Sequence, residues 1–340
     1  MSVQRKSNIE LLRIIAMVMI VIYHVIIHGI APTEILSKTT LPILYTPVIF
    51  GVNLFILISG YFSIKLSWKS FLSLMWIIAF YKLFHLCIDT FILQIEHTIF
   101  EWIVKPFSGP ISGGGWFIDI YVLLMLTTPL LNKLLSVLNR REYQIGLGIL
   151  LLFDVGYGFF LNKHFDTFGY SLLHFILLYY IGYGLQNIKK TKPIISVGGA
   201  LFILSITLIF YILLKDTQLG VKLVTSYSSP CILTGSVCIF LFFANLSIYY
   251  NPIINFIASS MLAIYLIHEG GNVSYLYYSQ ISIWFKELPV NEFIIHTFIL
   301  IIALFTFAIL IDQPRKWIWK LLLNQITSIQ SIKKTNIQIK

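Results

Sequence analysis

Ten stretches of about 20 mostly apolar residues recur along this chain, near 10–30, 41–62, 70–90, 116–132, 144–162, 169–187, 194–214, 229–249, 252–268 and 293–312. A helix needs about 20 such residues to cross the hydrocarbon of a bilayer, because each residue rises about 1.5 Å and the layer is about 30 Å thick. In lipid the backbone must satisfy its own hydrogen bonds, so such runs are helices. The pattern predicts an all-α, polytopic bundle of about ten transmembrane helices. Composition agrees. The chain is 58% hydrophobic and 11% charged, with a mean hydropathy of +0.86, against about 25% charge in soluble domains. These values exclude a soluble enzyme, a disordered chain and a nucleic-acid binder as first readings.

Basic residues orient the bundle. With the N-terminus in the cytoplasm, 16 of the 24 Lys and Arg fall in inside segments, 6 in outer loops, and Arg13 and Lys82 within spans. That bias follows the positive-inside rule and places both termini in the cytoplasm. The net charge of +10 is thus an orientation signal, not evidence of a nucleic-acid partner. Arg5 and Lys6 precede an apolar run, as in a signal peptide, but that run carries Arg13, His24 and His28 and has no small-x-small cleavage site. It reads as a retained helix. Residues 1–320 form one transmembrane domain and 321–340 a short basic tail at the cytoplasmic membrane surface. Cys231 and Cys238 lie about two turns apart on one helix, too far to bridge, and read as free thiols.

Charged and imidazole groups within spans are costly and mark function by default. The first span holds the densest set: Glu10, Arg13, His24 and His28. Arg13 and His24 are eleven residues apart, which at 100° per residue leaves only about 20° between them, with about 16 Å along the axis. One polar stripe therefore runs from the cytoplasmic end past the midplane. His24 suits a general base, since imidazole titrates near neutrality. Lipid snorkelling by Arg13 and a structural hydrogen bond on His24 are the alternative roles.

Further candidates are Asn53 and Ser59 in the second span, Trp116 and Asp119 opening the fourth, Tyr265 and His268 in the ninth, and Asp312 closing the tenth. Asp312 lies at the level of Arg13 and is a candidate partner for it. Lys82, His85 and Asp89 share a face of the third span, where an ion pair is as good a reading as a functional group. Gly113-Gly114-Gly115 precedes an apolar span and is no phosphate loop. No carboxylate cluster indicates a metal beside His24 and His28, and Ser59-Gly60 lacks the Gly-x-Ser-x-Gly elbow of hydrolases.

In chain order these features resemble the membrane acyltransferase-3 family, whose members O-acylate surface polysaccharides and related molecules. Asn8 to Ala16 running on to His24 gives an Arg-x10-His spacing. Gly51 to Tyr61 is similar to a Phe-x3-Ser-Gly signature around Ser59-Gly60. Trp116-Phe117 with Pro129-Leu130-Leu131 resembles the fourth-helix pattern. Ser259 to Tyr265-Leu266-Ile267-His268 resembles a late Ser…Tyr-Leu-x-His segment, and Asp312-Gln313-Pro314 a closing acid-x-Pro. The match spans residues 8–314. Glu10 and Ile14 stand where many members have Asp and Gly, and in place of an Arg-x2-Arg pair after the second helix there are Lys65 and Lys69 at another spacing.

The resemblance implies a multi-pass protein of the bacterial cytoplasmic membrane. It would move an acetyl or other acyl group from acetyl-CoA, bound as a substrate rather than a resident cofactor, to a glycan or lipid-linked saccharide. His24 would be the essential histidine, as base or acyl relay, with Arg13 its partner and Glu10 beside it. By their own composition, the outer loops near 90–115 and 269–292, rich in Trp, Tyr, Ser and Gly, are candidates to contact the acceptor, since aromatic faces stack on sugar rings, with interfacial anchoring the equal alternative. The rival class is a transporter or flippase of lipid-linked saccharides, which would carry inverted repeats and broken helices at matched positions. Its loss would lower the polymer, whereas loss of an acyltransferase would leave the polymer present but unacetylated.

Overall fold

The computed structural model describes residues 5–108, 115–162, 168–188 and 190–338, with side chains as far as Gln325. Gly113, Gly114, Lys163 and Lys189 are among the residues that fall outside them. All regular structure among the described residues is helical.

Every apolar run has its helix. The first is α1, Ser7–His24, which loosens into a π-helical turn over Val25–Ile30. Next come α2 (Thr40–Tyr45), α3 (Gly51–Tyr61), α4 (Trp68–Phe91) and the short α5 (Ile99–Phe107). The middle of the chain forms α6 (Trp116–Val137), α7 (Arg140–Leu151, continued as a π-helix over Leu152–Phe160), α8 (Leu172–Leu185) and α9 (Pro193–Leu214). The last part forms α10 (Gln218–Thr225), α11 (Pro230–Asn245), α12 (Pro252–Ala258), α13 (Met261–His268), α14 (Gly271–Glu287) and α15 (Val290–Gln338). Helix starts follow from local chemistry. Ser67, Thr98 and Asn139 close capping boxes at α4, α5 and α7, and Pro193, Pro230 and Pro252 open helices where a missing N–H costs nothing.

Eight of the described helices or joined helices are long and apolar enough to cross a membrane, nine if the bent unit 252–287 is one span. The remaining expected span, near 169–187, is α8, whose 14 residues make only about 21 Å of helix. Ser171 caps it at one end and accepts from the N–H of His174. The last helix runs on from the tenth apolar stretch through Gln338, so its backbone does not break at the expected start of the tail.

The core gathers around α1, α3, α8 and α13. Leu12, Ala16, Val21, Leu54, Leu57, Leu178, Tyr179 and Ile264 are each essentially inaccessible. Helices α3 and α8 approach so closely at Gly60 and Gly182 that a Cβ on either would collide with the other's backbone, the small-residue contact usual between membrane helices. By contrast α9 and α15 expose large apolar side chains, including Phe202, Leu213, Phe298 and Leu310. Such faces suit lipid, not water.

A fully buried polar chain ties three helical segments together. His174 Nδ1 lies 2.8 Å from Asp154 Oδ2 and its Nε2 lies 3.2 Å from Asn53 Oδ1, while Asn53 Nδ2 donates to the Tyr227 carbonyl at 3.0 Å.

Candidate active site

The expected stripe on α1 exists, and the fold gives it partners. Arg13 Nη1 binds Glu10 Oε2 at 2.6 Å, one helical turn away. The expected pairing of Arg13 with Asp312 does not occur. Asp312 is bound instead by Arg315 and Lys316 on its own helix and by the Tyr81 hydroxyl. The i,i+3 and i,i+4 cations lie one turn away and reach it first.

His24 ends the regular part of α1, immediately before the π turn. Opposite it stands the end of α13. There the chain bends by 83° into α14, with Glu269 at the bend and Gly270 and Gly271 completing it. Gly271 has φ +55°, and a Cβ on Gly270 would run into the His85 ring, while one on Gly271 would crowd it. Only glycine meets both demands.

At this corner His24 Nδ1 lies 2.8 Å from Glu269 Oε1 and 3.0 Å from His268 Nε2. His268 Nδ1 donates to the Ile264 carbonyl at 2.7 Å, so its Nε2 presents a lone pair to His24. Both neighbours of His24 Nδ1 are then acceptors. That assigns the His24 hydrogen to Nδ1 and leaves Nε2 as the basic nitrogen. The Tyr278 hydroxyl donates to the same Glu269 oxygen at 2.9 Å, and His28 Nε2 stands 3.9 Å from it. A carboxylate fixing one imidazole nitrogen so that the other can take a proton is the arrangement of an oriented general base.

His24, His268 and Glu269 are also metal-ligand types, their donor atoms within 4.8 Å of one another. Around a tetrahedral ion bound at 2.0–2.2 Å, ligand atoms stand about 3.3 Å apart. The 2.8 and 3.0 Å separations here are those of hydrogen bonds, and each has a donor and an acceptor.

Three cavities flank this corner in order along α13 and α14. The first, about 250 Å³, lies towards the start of α1 and is lined by Arg5, Arg13, Ser59 and Tyr265 among apolar side chains such as Met17, Phe55 and Leu262. The second, about 200 Å³, is lined by Tyr265, Leu266 and Glu269 with Lys82, His85 and Asp89 of α4 and Lys105 of α5. The third is an open groove lined by Glu269, Tyr278, His28, Lys286 and the hydroxyls of Ser274, Ser279 and Ser282. Tyr265 is thus the wall shared by the first two and Glu269 the wall shared by the last two.

Of the expected residues, Arg13, Ser59 and Tyr265 meet in the first cavity, and His24 and His268 meet at Glu269. Ser59 donates to Phe55 O at 3.0 Å and stands 3.5 Å from the Tyr121 hydroxyl. Trp116 packs instead into an aromatic cluster with Tyr170 and Tyr227, Asp119 lies within electrostatic reach of Lys82, and Asn53 belongs to the buried chain with His174. Asp89 turns to His97, 3.4 Å away, rather than to Lys82. Sequence reasoning missed Glu269. The signal was an acid directly following Tyr265-Leu266-Ile267-His268 at the end of an apolar run.

A family model described as an acyltransferase domain matches residues 6–313. No curated protein and no solved structure matches the chain.

Proposed function

The chain belongs to the acyltransferase-3 family, and from that premise we propose that it transfers an acetyl group from acetyl-CoA to a hydroxyl of a surface or lipid-linked glycan. The observation that carries this reading is the contact of His24 Nδ1 with Glu269 Oε1 at 2.8 Å, which leaves His24 Nε2 as a base at a corner flanked by cavities. The donor enters from the cytoplasm into the first cavity, where Arg5 and Arg13 meet its phosphates and the apolar walls take the pantetheine arm. The acceptor comes from the opposite side.

In the reaction His24 Nε2 takes the hydroxyl proton as the oxygen attacks the thioester carbonyl. The C–O bond forms, the C–S bond breaks, and the proton passes from His24 to the leaving thiolate, giving an ester and CoA. Glu269 stays ionised and stabilises the imidazolium that forms in between. The Tyr265 hydroxyl, on the wall between the first and second cavities, is the donor best placed by element to meet the developing oxyanion.

Membranes containing the protein are expected to consume labelled acetyl-CoA only when acceptor is present. His24→Ala abolishes this while the protein still elutes as a folded species. Full activity in that variant would overturn the mechanism.

A further inference from the structure

Resting on the acyltransferase reading, we propose that the second cavity is the acceptor's subsite, and that it takes a single polyol ring through hydrogen bonds that the ring donates to His85 and Asp89. At about 200 Å³ it is smaller than the roughly 300–1,000 Å³ of pockets that enclose drug-sized ligands, so it holds one ring and not a chain.

His85 and Asp89 sit four residues apart on one face of α4, and both are buried, at 7% and 5% exposure. His85 Nε2 is 2.8 Å from the Leu266 carbonyl, which must accept, so Nδ1 is left as an acceptor. Neither that Nδ1 nor Asp89 Oδ1 has a hydrogen-bond partner among the described residues. Buried polar atoms are normally paired, and each exception calls for an explanation. Two neighbouring acceptors in want of donors select a ligand rich in O–H groups. Lys82 and Lys105 stand on the same lining, and the Tyr265 ring offers an apolar surface to a ring face. Glu269, which orients His24, closes this cavity too. A ring seated here has its hydroxyls beside Glu269, the residue that orients the base.

The test uses the full-length protein in detergent with two probes, methyl α-D-glucopyranoside and tetrahydropyran-2-methanol, which keeps the ring but loses three hydroxyls. Binding is read by saturation-transfer difference NMR, which needs no turnover. The glucoside is expected to bind and the deoxygenated ring not to. Asp89→Leu should raise the glucoside Kd about 10- to 100-fold, the range for losing hydrogen bonds to a charged group. Asp89→Asn, which keeps the size and one acceptor, should give an intermediate value and guards against misfolding. Equal binding of both probes, no glucoside binding by the wild type, or an unchanged Kd in folded Asp89→Leu overturns the subsite. Glucoside binding that Asp89→Leu removes, without any acetyl transfer, keeps the subsite and counts against the acyltransferase reading.

Discussion

His24 of the first helix and Glu269 at the bend after α13 meet through Nδ1 and Oε1 at 2.8 Å, so the imidazole on one helix is held by a residue from the far part of the sequence. A carboxylate that holds a catalytic imidazole in its working tautomer contributes up to about 10⁴ in kcat. Glu269→Gln keeps the shape but lets the amide donate where the carboxylate could only accept. We expect kcat to fall at least about 100-fold with donor KM little changed. Steady-state acetyl transfer checks this, and a kcat within twofold of wild type would refute it.

Arg13 lines the first cavity and is tethered by Glu10. In Arg13→Gln the acetyl-CoA KM should rise about 10- to 100-fold, the loss expected for hydrogen bonds between charged groups. Acetyl-pantetheine, which lacks the adenosine phosphates, should show no such difference between variant and wild type. Equal losses with both donors would move Arg13 from phosphate binding to another role.

Asp154 and His174 are buried to 2% and 0% exposure. Removing one partner of such a pair strands the other, at a cost of about 3–5 kcal/mol. Asp154→Leu should therefore lower the melting temperature of the detergent-solubilised protein markedly while leaving the donor KM of the surviving folded fraction near wild type. An unchanged melting curve would remove the structural role.

Glu101 is outside the spans. Its carboxylate is held to a pKa of about 2 by a hydrogen bond from Lys105, then by the Thr98 N–H that it caps. A depressed value means that the cap's support for α5 is present above the ordinary carboxylate range and is lost as pH falls through about 2. A ¹³C titration of this carboxyl should show a midpoint near 2, and one near the ordinary 4.5 would contradict the contact.

Orientation is testable with cysteines in a background lacking Cys87, Cys231 and Cys238. Ser37→Cys and Asn291→Cys are expected to react with an impermeant maleimide in intact cells. Arg140→Cys and Lys190→Cys should react only after permeabilisation. All four positions are exposed, so a reversed pattern inverts the topology and with it the entry side of the donor.

The helical class was legible because apolar run length alone sets it, and the Arg13 to His24 stripe because helical period is a local property. Partner choice is not local. Asn53 stood out as a polar residue in a span, yet its partner His174, and Asp154 on the far side of that imidazole, lay unremarked in two other spans, since spacing carries no information across helices. Asp312 was matched to Arg13 by depth, but Arg315 and Lys316 on its own helix lie closer. Glu269 does not stand out in the sequence, because the 83° bend that turns it towards His24 depends on Gly270 and Gly271 packing on His85, a contact absent from the linear pattern. The short α8 was expected to be longer because apolarity extends past the Ser171 cap.

The π turn after His24 has one more consequence. Such a turn is an α-helical turn carrying one extra residue. Because the wide turn absorbs that residue, deleting one residue within Val25–Ile30 would let the helix wind on regularly with both flanks in place, and only the side chains of the turn itself would change the faces they present. His28 would then leave the groove it lines with Glu269 and Tyr278. The lining of the groove at His28 hangs on one surplus amino acid.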